Sequence, residues 1–162
     1  MRALNLFVAV CGFSKYTVHA LLEESFVGFE PGDQTLDIAG ATVIADADDF
    51  VGIHIALKSL VEDFEQITGT RPALNNVTAN STISTSATGI IVGSVGSRLI
   101  RQLSAEKGLN ISDVEGRWEV FKTAVIANPI AGVERALVIV GSDKRGTIFG
   151  VHTLAEQSGQ SP

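Results

Sequence analysis

Three short apolar runs, each followed by a polar turn and then by residues at helical spacing, limit this chain to few architectures. Gly89-Ile90-Ile91-Val92-Gly93 is too short for a helix and β-branched at its centre, as a buried strand is. Ser97 follows as a helix cap, with Leu99, Ile100 and Leu103 as the inner face of a helix running to about Lys107. Ala41 to Ala45 is a second run, and Asp46, Asp48 and Asp49 then stand where a helix N-terminus would begin, favoured there by the helix dipole. Ile53, Ala56, Leu57, Leu60, Val61, Phe64 and Ile67 recur at three- and four-residue spacing, with His54, Lys58, Glu62 and Glu65 on the polar face, until Gly69 stops the helix. The third run, Ala136 to Val140, precedes a helix from Lys144 to about Gln157. Trp118 to Ala127 reads as a further strand, joined to that run by a turn at Asn128-Pro129. Pro72 to Leu74 begins a short strand, and residues 21 to 40 form a short strand or extended lead-in around the Pro31-Gly32-Asp33 turn. The alternation predicts an α/β (α+β) fold, a mixed β-sheet with about three packed helices.

With 162 residues, 45% of them apolar, the chain can hold one domain with its own core. A net charge of −6 without any block of like charges disfavours nucleic acid and anionic membranes as partners. The single cysteine, Cys11, excludes a zinc knuckle, a CxxC redox pair and an internal disulfide. Arg2, the apolar stretch Ala3 to Phe13 and the small residues of Val18-His19-Ala20 together read as a secretory signal peptide over residues 1–20, against a buried N-terminal strand or helix. The stretch is too short to span a bilayer, which takes roughly twenty residues. Residues 21–162 would then be the mature domain, more acidic still and without a thiol. Sequons at Asn76, Asn80 and Asn110 fit a secreted, extracellular glycoprotein. The first two lie in the polar tract Asn75 to Thr88, which reads as a surface loop.

The residues that could carry chemistry form no recognisable centre. Gly141-Ser142-Asp143-Lys144-Arg145-Gly146-Thr147 sits between a strand and a helix like a phosphate loop, but Thr147 stands where the phosphate-binding lysine is required. A tight turn with Asp143 capping the helix explains it better, and Gly146 and Gly150 would let that helix approach its neighbour closely. Gly93-Ser94-Val95-Gly96 lacks the dinucleotide-binding glycine pattern and reads as a strand-to-helix turn. Phe50 and Val51 break any calcium loop around the aspartates, and His54 and His152 are isolated, so neither metal nor cofactor is expected. Nothing marks a pair of carboxylates for glycoside hydrolysis. The residues alone describe a secreted α/β domain without an active site.

A resemblance adds to this. Ile111 to Phe121 (ISDVEGRWEVF), Asn128 to Pro162 (NPIAGVERALVIVGSDKRGTIFGVHTLAEQSGQSP) and Ile90 to Gly96 (IIVGSVG) resemble the N-terminal domain of glycoside hydrolase family 115, the xylan α-1,2-glucuronidases. The pattern from Asp46 to Gly69 fits as well, so the likeness spans roughly residues 40–162. It implies an α/β module like those preceding the barrel in family 67 glucuronidases and in hexosaminidases. The catalytic groups of such enzymes sit mainly in a following (β/α)8 barrel that removes glucuronic or 4-O-methylglucuronic acid from xylan with inversion. Where the family has Ile-Gly-Val before Ser-Pro, this chain has Ser158-Gly159-Gln160, and it stops at Pro162, before the aromatic segment and the barrel. The resemblance therefore implies a non-catalytic domain or fragment, with glucuronoxylan as the intact enzyme's substrate and the missing barrel as intramolecular partner. No catalytic residue carries over. Lys144 and Arg145, in the most family-specific loop, are candidates to face the acidic sugar, against the alternative that they stabilise the loop or a domain interface. The rival function is a stand-alone carbohydrate-binding or interaction module. Trp118 is its only aromatic of the usual stacking kind in the mature chain besides the phenylalanines.

Overall fold

The three apolar runs lie side by side and parallel in one sheet. They are β5 (Thr42–Asp46), β7 (Thr88–Ser94) and β9 (Arg135–Gly141), with Val43 opposite Ile90 and Ile90 opposite Leu137. Before them come β1 (Phe7–Ala9), β2 (Thr17–His19), β3 (Val27–Gly28) and β4 (Thr35–Asp37); between them come β6 (Leu74–Val77) and β8 (Phe121–Ala127). The sheet order is β2-β8-β9-β7-β5-β6, with β6 parallel to β5 and with β8 antiparallel to β9 and to β2. A small second sheet has the order β3-β1-β4. This is a computed structural model, and it describes residues 7–9, 17–19, 26–28, 35–78 and 87–159.

Strand side chains alternate between faces, and both faces are covered. Val43, Ala45, Ile90, Val92, Leu137 and Ile139 point to one side, against α1 (Val51–Thr68) and α3 (Lys144–Gly159). Ile44, Ile91, Val138 and Val140 point to the other, against Leu99, Ile100 and Leu103 of α2 (Arg98–Lys107). The result is a three-layer mixed-sheet α/β fold with three helices among the described residues, as the alternation predicts. Burial on both faces is why these strands read as unbroken apolar runs.

The helix signals hold in part. Ser97 caps α2, its hydroxyl accepting the Ile100 N–H at 3.3 Å, and Gly69 ends α1 in the left-handed region at φ 73°. α1 starts later than the acidic cluster suggests. Its N-cap is Phe50, and no acid lies in its first turn, because Asp46 still belongs to β5 and turns its carboxylate elsewhere. Strand β8 likewise begins at Phe121, so Trp118 stands outside it. The polar tract is a strand at its start, since Asn75, Asn76 and Val77 pair with β5.

Asn76 and Asn110 are exposed, as glycan acceptors must be, while Asn80 lies outside the described residues. Two segments of the stretch read as a signal peptide are strands. β1 pairs with β3 and β4, and β2 pairs with the outer edge of β8, Val18 lying opposite Lys122. Among the described residues no helix is long and apolar enough to cross a membrane.

Candidate functional site

The C-terminal ends of β5, β7 and β9 form one rim of the molecule, and ligands of open α/β sheets bind where successive connections leave toward opposite faces. One such divergence lies between β5, which leads to α1, and β7, which leads to α2. The crevice there is occupied by the chain's own carboxylates. Asp49 accepts the Ser94 N–H at 2.8 Å and its hydroxyl at 2.9 Å. Asp46, buried at the end of β5, accepts the Leu99 N–H at 3.1 Å and the Asp48 N–H at 3.3 Å, and Arg98 lies 3.4 Å away. Of the aspartates that look like the cap of α1, Asp46 thus serves the start of α2, while Asp49 holds the end of β7 and also accepts the Phe50 N–H at 2.8 Å. Amides that could cradle a phosphate are already satisfied by anions. Among the described residues no three His, Cys, Asp or Glu side chains are disposed to hold a metal.

The other part of the rim is built from the β9–α3 loop and the segment entering β8. Ser142 donates its N–H to the Val120 carbonyl at 2.9 Å, and its hydroxyl accepts the Val120 N–H at 3.2 Å. Asp143 accepts the Glu119 N–H at 2.9 Å and the Gly146 N–H at 2.8 Å, the second bond being the helix cap expected from the sequence. Partial burial pushes the Asp143 carboxyl up. Hydrogen bonds from the Gly146, Glu119 and Arg145 amides and from Ser142 outweigh that and hold it below its ordinary value of 3.8. Gly146 permits the contact, because a Cβ there would collide with the Val120 carbonyl, and a Cβ at Gly150 would fall 2.9 Å from the Phe121 ring. The close approach foreseen for these glycines is therefore made to β8 and its lead-in.

Lys144 and Arg145 both sit on this rim, exposed, and the helix turns them apart. The stem of Lys144 lies against Gly52 of α1, where a Cβ would be 3.5 Å from its Cδ. Arg145 turns the other way and pairs with Glu119 at 3.0 Å. Glu119 itself adopts a left-handed backbone at φ 56°, an uncommon conformation for a side-chain-bearing residue. That bend puts the preceding Trp118 into solvent, 85% exposed. Phe149, one turn along α3 from Arg145, is 53% exposed. Sequence reasoning misses Phe149, and it names Trp118 as a stacking aromatic but misplaces it. Trp118 reads as the first residue of a strand, and only the Gly116–Arg117 approach hints at a turn. His54 also departs from expectation: both ring nitrogens are buried without a partner, although the helical pattern assigns it to the polar face.

Two grooves lie elsewhere. One, of ≈ 610 Å³, is lined by Gln102, Glu106, Lys107 and the Asn128–Glu134 turn; the other, of ≈ 580 Å³, lies between α1 and α3 beside Asp63, Gln66, His152 and Glu156. Neither includes the rim cations.

By fold this is a three-layer α/β domain with a rim of fixed charges at the strand C-termini. Comparison with family models finds no match, and no curated protein matches. Among solved structures it is similar to a family GH115 4-O-methyl-α-glucuronidase described as having specificity for decorated arabinogalactans. The TM-score is 0.52 and the identity 26%, over 76% of this chain. This chain spans 14% of that enzyme's length. The likeness supports a relation to the glycoside hydrolase named and reaches only a small part of it.

Proposed function

We propose that this chain is a non-catalytic N-terminal domain of a secreted α-glucuronidase-like glycoside hydrolase acting on glucuronic-acid-decorated polysaccharide, with glucuronoxylan as its substrate. The observation that carries the reading is the structural likeness to a glucuronidase over 76% of this chain, in agreement with the sequence motifs around Gly141 to Gly150. The likeness covers 14% of that enzyme, which favours a part of such a protein over the whole. The rim supports a non-catalytic role. Asp46 is committed to the start of α2, Asp49 to the end of β7 and Asp143 to the start of α3, so none of the three is free to act as a general acid or base. Lys144 and Arg145 supply positive charge at the end of the sheet where an acidic sugar would lie. The catalytic barrel is the intramolecular partner of this reading, and secretion with glycans at Asn76, Asn80 and Asn110 is part of it.

The test is direct. The purified chain, incubated with 4-O-methylglucuronic-acid-decorated xylo-oligosaccharides and with decorated arabinogalactan, releases no uronic acid. Release by this chain alone overturns the non-catalytic reading.

A further inference from the structure

We propose that removal of residues 1–20 uncovers the outer edge of β8, and that two copies of the processed chain pair there, β8 against β8, in a two-fold dimer. The inference rests on the proposed signal cleavage and goes beyond it, giving the released domain a partner. Among the described residues only β2 lies on that edge, and it reaches no further than Thr123. The edge is long and unguarded. Pairing with β9 runs unbroken from Phe121 opposite Gly141 to Ala127 opposite Arg135, so no bulge turns the strand aside. Edge strands are ordinarily blunted by proline or exposed lysine. Phe121–Ala127 holds no proline, and its one charged residue, Lys122, is buried against Asp113.

The backbone geometry fits a second copy. Across the β8–β9 ladder Ser142 donates its N–H to the Val120 carbonyl, and Asn128 donates its N–H to the Glu134 carbonyl. By strand alternation Lys122, Ala124 and Ile126 also bond toward β9, while Phe121, Thr123, Val125 and Ala127 aim their N–H and C=O groups outward. β2 meets this edge antiparallel, the relation that a two-fold axis across the sheet imposes on two copies of one strand. An axis at Ala124 sets Phe121 opposite Ala127 and Thr123 opposite Val125 of the other copy, so every outward group finds a partner. Lys122 then falls opposite Ile126, and no like charges face each other. Pairing stops at two, because the opposite edge of the sheet, β6, is four residues long and polar at Asn75 and Asn76. Cleavage also removes β1, but its neighbours β3 and β4 are two and three residues long, too short to template a strand.

The test compares protein secreted by a eukaryotic host with the full chain made in a cytosolic host, by sedimentation velocity over a range of concentrations. N-terminal sequencing identifies each form. The form beginning at Leu21 is expected to double in mass as concentration rises, and the form that keeps residues 1–20 to stay monomeric. Each copy is acidic, so added salt should strengthen the dimer by screening the repulsion between copies. Hydrogen exchange gives a readout without mutation. The Phe121, Thr123, Val125 and Ala127 amides should exchange quickly in the dilute processed chain and regain protection in the dimer. Val125→Pro removes an outward N–H and no bond to β9, so with native circular dichroism it should weaken the dimer by about ten-fold or more. A processed chain that stays monomeric overturns the dimer and leaves the cleavage standing. Dimers of the full chain, open-ended oligomers, outward amides that stay quick in the dimer, or indifference to Val125→Pro also overturn it. Secreted protein that still carries residues 1–20 removes the cleavage and the dimer together.

Discussion

Individual residues fix the rim, and their removal has calculable consequences. Gly146 has no room for a methyl group against the Val120 carbonyl. Gly146→Ala should therefore cost roughly 1–3 kcal/mol, as overpacking does, in a denaturant titration. Lys122 is fully buried in β8, its ammonium 2.7 Å from both the Asn110 carbonyl and Asp113 Oδ1. Removing the partner strands a buried charge, so Asp113→Ala is expected to lose about 3 kcal/mol. Lys122→Met, which removes the charge and keeps much of the volume, should lose less in the same assay. Asp143 adds a pH dependence. Its folded pKa lies below 3.8, so its ionised form stabilises the fold above that value. The contribution fades as pH falls from 3.8 through the folded value. The urea midpoint should drop over that acid range, and Asp143→Asn should flatten that component. An unchanged acid profile in Asp143→Asn would show that other carboxylates govern it.

At the scale of elements, what can be read in the sequence is whatever a local pattern encodes. The buried strands β5, β7 and β9, the face of α1, the Ser97 cap and the Asp143 cap all follow from residues within a few positions of one another. Long-range assignments do not follow. Asp46 precedes α1 in the chain, yet its carboxylate crosses to Leu99, and only the sheet order, which sets β7 next to β5, makes that contact available. Trp118 reads as strand because it adjoins an apolar stretch; Glu119, held at φ 56° with its N–H on Asp143, is what excludes it. His54 occupies a polar position by helical spacing, but both its ring nitrogens are covered. The same distinction yields a prediction for α2. Asp46→Asn weakens an anion at that helix's start and should cost about 1 kcal/mol. Hydrogen exchange at the Leu99 amide should quicken, while amides in the middle of α1 stay protected. Faster exchange in α1 instead would return Asp46 to the role that its place in the chain suggests.

For the whole molecule, the outcome turns on the first twenty residues. Their Arg2, apolar stretch and Val18-His19-Ala20 fit a cleavable signal, while in the uncut chain Thr17–His19 forms the edge strand against β8. Under the proposed secretion the two descriptions would hold before and after cleavage, and they would differ physically. With β2 present, the outer amides and carbonyls at the start of β8 are paired through Thr123, Lys122 and Phe121. With β2 removed, that edge opens beside the Trp118 segment, and β8 keeps only its β9 partner. The proposal of secretion therefore makes a joint prediction. Expressed in a eukaryotic secretory host, the protein should reach the medium beginning at Leu21 by N-terminal sequencing. It should carry glycan at the exposed Asn110, read as a mass decrease after enzymatic deglycosylation. Amides on the outer edge of β8 should exchange faster in this form than in the uncut chain made in a cytosolic host. Retention in the cell with Met1 or Arg2 at the N-terminus would reject the signal peptide and make β2 a permanent edge of the fold.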